Sequence, residues 1–287
     1  MADLWHRPSR GTSARMTSPA VPEIFDADRL ALRRERARRS GDGFLAELVL
    51  GAVVERLDDV TRRFESGLLV DRSPDEADAL SDRLGFRLKA IDATDLFGDR
   101  ETGGAPRDCI LWPGGLESLA DIPGALIRCR RLLRPDGMIM GAFWGAGSLP
   151  ALRRVMAVAD GESPRVRLHP QVDVRAMGDL LQRAGIALPV IDRDDIDLRY
   201  RSFDRLIADL RGSGLTNVLA GPVAALDRNA LARAKAAFEA ARDETGQVVE
   251  TMTLVHFTGW APDVSQPVPA RRGSAKVSLR DALSSKP

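Results

Sequence analysis

Residues 116–147, LESLADIPGALIRCRRLLRPDGMIMGAFWGAG, decide the fold. Ala120-Asp121-Ile122-Pro123-Gly124 reads as a turn into a short amphipathic helix. Leu126, Ile127, Leu132 and Leu133 lie on one side of it, and Arg128, Arg130 and Arg131 on the other. Arg134-Pro135-Asp136-Gly137 is expected to be a turn, because neither Pro135 nor Gly137 continues a helix. Residues 138–144 are almost wholly apolar, the pattern of a strand covered on both faces. Helix, turn and buried strand make half of a β-α-β crossover, which predicts an α/β protein with a mostly parallel sheet.

The 287 residues are enough for a sizeable core, and 44% hydrophobic with 29% charged residues is an ordinary globular composition. A formal charge of +1 gives no argument for nucleic acid or an anionic membrane as partner. Apolar runs are too short for membrane insertion. The two cysteines, Cys109 and Cys129, form neither a disulfide framework nor a zinc set. Residues 1–21 lack the apolar core of a secretory signal and read as a tail, with Met16 a second candidate start. Residues 263–287, rich in Pro, Ser and charge, read as a second tail, which leaves 22–262 for the domain.

The string LRPDG before an apolar strand resembles the turn ahead of the fifth strand in class I S-adenosylmethionine (SAM)-dependent methyltransferases. The longer string DIPGALIRCRRLLRPDGMIMGAFWGAGSLPALR is similar to one branch of that superfamily. The branch holds the methyltransferase-fold assembly factor of respiratory complex I, an arginine hydroxylase, and its bacterial relatives. It is akin to the carrier-protein methyltransferase of biotin synthesis. The resemblance implies a Rossmann-like class I fold whose last strand is antiparallel, SAM as cofactor, and a protein substrate or respiratory-complex subunit as partner. It places the protein in the bacterial cytoplasm, or in the mitochondrial matrix of a eukaryote.

Taken in order, residues 27–39 form a helix with six arginines, either a solvated face or a basic cap over the cleft. Residues 44–57 carry the apolar spacing of a packed helix. Residues 67–71 read as the first strand. In Ser73-Pro74-Asp75-Glu76 the serine caps a helix, proline opens it and glutamate completes a capping box. In the family that turn is glycine-rich, so that the backbone can approach the ligand. Here Asp71 matches the acid that ends the strand, and Arg72, Ser73, Pro74 and Asp75 replace the glycines, which argues against ordinary methyl transfer.

Residues 86–91 are the second strand. Asp92 follows at the spacing where a carboxylate meets ribose hydroxyls, with Asp95 competing for a role beside the adenine. The stretch GDRETGGAP, 98–106, is a loop where a strand-helix unit is expected to be shortened or lost. Residues 107–112 form the next strand, and Trp112, Pro113 and Gly114 stand at its ligand-binding end. The relatives usually carry a His-Trp pair where this chain has Glu117-Ser118.

The resemblance assigns Asp121, Ser163, Arg165, Arg211 and Asn217 to the substrate side. Asp121 more commonly serves as a helix cap, and Thr216 with Asn217 equally suit a helix end. His169 is a general base or a loop histidine. No second ligand stands at metal spacing, so no metal site is expected. Helices are expected at 149–158, 177–184, 201–214 and 226–244, and strands at 186–200 and 248–261. The expected function is that of a methyltransferase-like protein with a degenerate SAM turn. The alternative is an assembly factor, non-catalytic or arginine-hydroxylating.

Overall fold

The apolar run of residues 138–144 becomes the middle of a six-stranded sheet of order β2-β1-β3-β4-β6-β5. The computed structural model describes residues 23–97, 105–222, 225–267 and 278. The stretch 1–21, most of the 98–106 loop and most of 263–287 therefore lie outside the described residues.

Strands β1 (Ser66–Val70), β2 (Arg87–Ile91), β3 (Arg107–Pro113) and β4 (Leu133–Trp144) run parallel. Strand β6 (Val248–Trp260) lies antiparallel between β4 and β5 (Ala187–Tyr200). This is the mostly parallel sheet with an antiparallel last strand that the class I methyltransferase pattern demands. Among the described residues β2 is the edge of the parallel half, so the strand-helix unit expected beyond it is missing there.

Helices α1 (Ala27–Ser40) and α2 (Phe44–Asp58) precede the sheet, and α3 (Pro74–Leu84) links β1 to β2. Helix α4 (Ile122–Leu132) links β3 to β4. Helices α5 (Pro150–Asp160), α6 (Val174–Arg183), α7 (Phe203–Gly212) and α8 (Arg228–Ala240) fill the remaining connections. Alternate strand residues point to opposite faces. Leu69, Leu111, Met138 and Met140 therefore join a core with α2, α5, α7 and α8. Leu68, Ile110, Ile139 and Phe143 join another with α4 and α6. Strands buried on both faces read as unbroken apolar runs, which is why β3 and β4 stood out.

Local chemistry fixed the helix starts. Ser73 accepts from the Glu76 amide at 3.2 Å while the Glu76 carboxylate accepts from the Ser73 amide at 2.7 Å, completing the expected capping box. Asp121, Asp173, Ser202 and Asp227 cap α4, α6, α7 and α8, each side chain accepting from the amide three residues on. The structure corrects one reading. Residues 134–137 are not a turn ahead of β4 but a wide bulge inside it. Arg107 pairs with Leu133 and Cys109 with Met138, so these four residues face Asp108 alone. Asp108 is buried, and its carboxylate accepts from the amides of Glu65 and Ser66 at 2.6 and 2.8 Å and pairs with Arg134 at 3.0 Å. A buried carboxylate with those partners anchors the bulge, and periodicity gives no sign of it.

Candidate functional site

The parallel strands end on one rim, and two cavities lie along it. The smaller, about 540 Å³, is lined by Asp71, Arg72, Ser73, Pro113, Gly114 and residues of α1 and α2. The larger, about 890 Å³, is lined by α1, α5, α7 and the loops carrying His169 and Asn217. Both fall within the roughly 300–1,000 Å³ of ordinary ligand sites. Glu117, Trp144 and Leu215 belong to both walls, so the cavities adjoin.

The smaller cavity is governed by an arginine that sequence reasoning placed only in a basic helix. Arg34 of α1 donates to both oxygens of Asp71, at 2.9 and 2.8 Å, and its Nη1 lies 3.8 Å from Asp92 Oδ2. Asp71, a left-handed residue at φ 60°, also accepts from the Ala93 amide at 2.8 Å. Burial pushes its carboxyl up against the opposing pull of Arg34. Gly115, at φ 86°, packs against this pair. A Cβ there would collide with Asp71 Oδ2 and press to 3.0 Å from Arg34 Nη2. Arg72 stays on the cavity wall, held there in ion pairs with Glu47, at 2.7 Å, and with Glu76.

The other expected cofactor residues are dispersed. Asp92 lies off the cavity wall, its side chain 47% exposed, with Oδ1 accepting from the amide and hydroxyl of Thr94 at 2.9 and 2.7 Å. Asp95 is exposed in a 3-10 segment, Ala93–Phe97, on neither wall. Trp112 is fully buried in the core and lines neither cavity. The class I resemblance implies a glycine-rich turn and a carboxylate available to ribose hydroxyls. Here Arg34 fills the first acid, Thr94 takes part of the second, and the side chains of Arg72, Ser73 and Asp75 line the turn where glycines are expected. In this arrangement the residues do not fit SAM.

On the substrate side, Arg165, Arg211 and Asn217 line the larger cavity, whereas Ser163 is exposed and off its wall. Asp121 lines neither cavity and caps α4, accepting from the Gly124 amide at 2.8 Å. Asn217 donates to the Arg167 carbonyl at 3.0 Å and accepts from the Leu219 amide at 2.8 Å, tying two loops of the wall together. His169 accepts from the Val218 amide at 3.0 Å through Nε2 and stacks edge-on against Phe25 at 5.0 Å. Burial pushes its pKa down to about 4, so it is neutral at pH 7 and serves as a wall group.

Sequence reasoning missed Glu117 as a site residue. Its Oε2 is buried without a hydrogen-bond partner among the described residues, at the junction of the two cavities, and burial raises its carboxyl. The only signal was the departure from the His-Trp pair of the relatives. Among the described residues no group of three metal-ligating side chains converges, and no helix is long and apolar enough to cross a membrane.

No family model matches the chain. It is 30% identical over 263 residues to the mitochondrial arginine-hydroxylase NDUFAF5 of Danio rerio, covering 83% of this chain and 81% of that one. The Mus musculus protein of the same name matches at 30% over 292 residues, with 92% and 84% covered. The malonyl-[acyl-carrier protein] O-methyltransferase of Laribacter hongkongensis is 35% identical over 138 residues, 48% of this chain and 45% of that one. Among solved structures, YcgJ of Bacillus subtilis matches at a TM-score of 0.44 and 11% identity, over 74% of this chain and 99% of that one. A SAM dependent methyltransferase of Archaeoglobus fulgidus matches at 0.39 and 10%, over 75% and 94%. With identity of 30% sustained over more than four-fifths of both chains, this methyltransferase-fold protein belongs to the family of the arginine-hydroxylase NDUFAF5.

Proposed function

We propose that this chain is a methyltransferase-like protein that does not carry out ordinary methyl transfer and works as an assembly factor, with the larger cavity as its binding site. The observation that carries this is Arg34 seated on Asp71 beside Asp92. An internal guanidinium occupies the place where a ligand would have to meet those acids. A respiratory-complex subunit is the partner the family suggests, and a bacterial cytoplasm the compartment. Function lives in the site rather than in the fold, so an inherited scaffold is compatible with a lost reaction.

A second reading rests on the shared wall of Glu117, Trp144 and Leu215. Two adjoining chambers suit a cofactor and an acceptor, and that supports retained SAM binding once Arg34 moves aside. Titration of the full chain with SAM decides between them. A ligand at about a hundred times its dissociation constant stabilises a protein by about 2.7 kcal/mol. The assembly-factor reading expects no thermal shift at millimolar SAM. A saturable shift that Asp92→Ala abolishes would overturn it.

A further inference from the structure

We propose that the larger cavity binds an amphipathic organic anion, its acidic end held by Arg33, Arg211 and Thr216 and its apolar body lying along α5 and α7. This rests on the reading that the larger cavity is the working site.

Three side chains on that wall have a buried polar atom with no partner among the described residues: Arg33 Nε, Thr216 Oγ1 and Glu117 Oε2. Buried polar groups are normally hydrogen-bonded, and one left bare destabilises the fold. These three closed-off atoms show that the chain itself does not satisfy this wall, and a ligand meets them once Arg33 and Thr216 rotate towards the cavity.

The charges say which sign. Arg29 pairs with Asp26 at 3.0 Å, Arg167 with Asp160 at 2.5 Å, and Asp204 with Lys235 at 2.7 Å. The side chains of Arg33 and Arg211 form no hydrogen bond or ion pair with a described residue, and Arg165, whose amide donates to Asp160 Oδ2 at 3.2 Å, adds its charge to the same wall. Glu117 is the wall's one acid without an ion-pair partner, and its raised pKa weakens its charge. The cavity is thus electropositive, and guanidinium groups match a carboxylate's geometry in a way an ammonium does not.

Helices α1 and α7 bring the anchoring groups together. A Cβ at Gly214 would touch the Ala37 Cβ at 3.6 Å and the Arg34 Cα at 4.0 Å, so the segment bearing Arg33 packs on the one that bears Arg211 and Thr216. The rest of the wall is apolar: Leu149, Leu152, Met156, Phe203, Ile207 and Met252. A bare inorganic anion would leave that surface uncovered, whereas a carboxylate on an aliphatic or aromatic body covers it and meets the arginines.

The test uses the full chain and three probes of one length: sodium octanoate, octanol and octylammonium chloride, followed by calorimetry. Octanoate is expected to bind saturably at one site, at least tenfold tighter than octanol, with no heat from octylammonium. Arg211→Gln, at an exposed position, is expected to fold normally and to lose at least tenfold in octanoate affinity while octanol is unmoved. Arg33→Gln is expected to do the same. Equal affinity for octanoate and octanol, preference for octylammonium, or an unchanged octanoate constant in both variants would overturn the proposal. SAM binding in the smaller cavity would instead overturn the assembly-factor reading and leave the octanoate result standing.

Discussion

Arg34 and Asp71, thirty-seven positions apart in sequence, meet through two parallel hydrogen bonds of 2.9 and 2.8 Å at the C-terminal end of β1. The Asp71 side chain is 4% exposed and that of Arg34 18%, so neither has much water to fall back on. Removing one member of such a pair leaves a buried charge uncompensated, at a cost of about 3–5 kcal/mol. Arg34→Ala is expected to lose about 3 kcal/mol in urea denaturation. The double variant Arg34→Ala/Asp71→Ala is expected to lose much less than the two single losses added together. Additive losses would show that the pair is not coupled.

Glu250 of β6 has the opposite geometry, an acid serving a helix start. It is fully buried, and its two oxygens accept from the amides of Ala151 and Leu152 at 3.0 and 2.7 Å. Leu149, ahead of α5, is left-handed at φ 62° and supplies no side-chain cap, so this distant carboxylate takes the role. Glu250→Ala is expected to cost about 2–3 kcal/mol by stranding both amides. Glu250→Gln, which keeps an acceptor oxygen, is expected to cost roughly half that. Equal losses in the two variants would count against the cap.

His169 makes stability depend on pH. Its folded pKa, about 4, lies below the ordinary 6.5, so the unfolded chain binds the proton more readily. The stabilisation is complete above pH 6.5 and drains away as pH falls through 4. With about 1.36 kcal/mol per pKa unit, the loss is on the order of 3 kcal/mol. Protonation also removes the acceptor that holds the Val218 amide. Urea midpoints between pH 7 and 4 are expected to fall less steeply in His169→Gln than in the parent chain. Parallel slopes would remove His169 as the cause.

Cys109 and Cys129 are fully buried, and burial pushes both thiols up to about 12. The thiolate is the reactive form, so both are expected to resist a thiol reagent in the native protein and to react rapidly in urea. Fast labelling of the native chain at neutral pH would contradict the burial. Gly67 depends on the same packing, since a Cβ there would lie 2.6 Å from Cys109 Sγ.

The order of residues along the chain is enough to locate the helices and strands and to give the class of the sheet. Runs such as residues 138–144, the Ser73–Glu76 capping box and the Asp121 cap act over a few neighbouring residues, and local chemistry is written in local sequence. The boundaries of α2, β3 and β6 follow for that reason. The arrangement along the rim of the sheet emerges from the folded chain alone. Whether Asp71 faces a ligand or Arg34, whether residues 134–137 turn or bulge, and whether Glu117 finds a partner depend on side chains brought together from distant elements. No periodicity encodes those meetings, because a charged residue reads the same in sequence whether water, an ion pair or a ligand satisfies it.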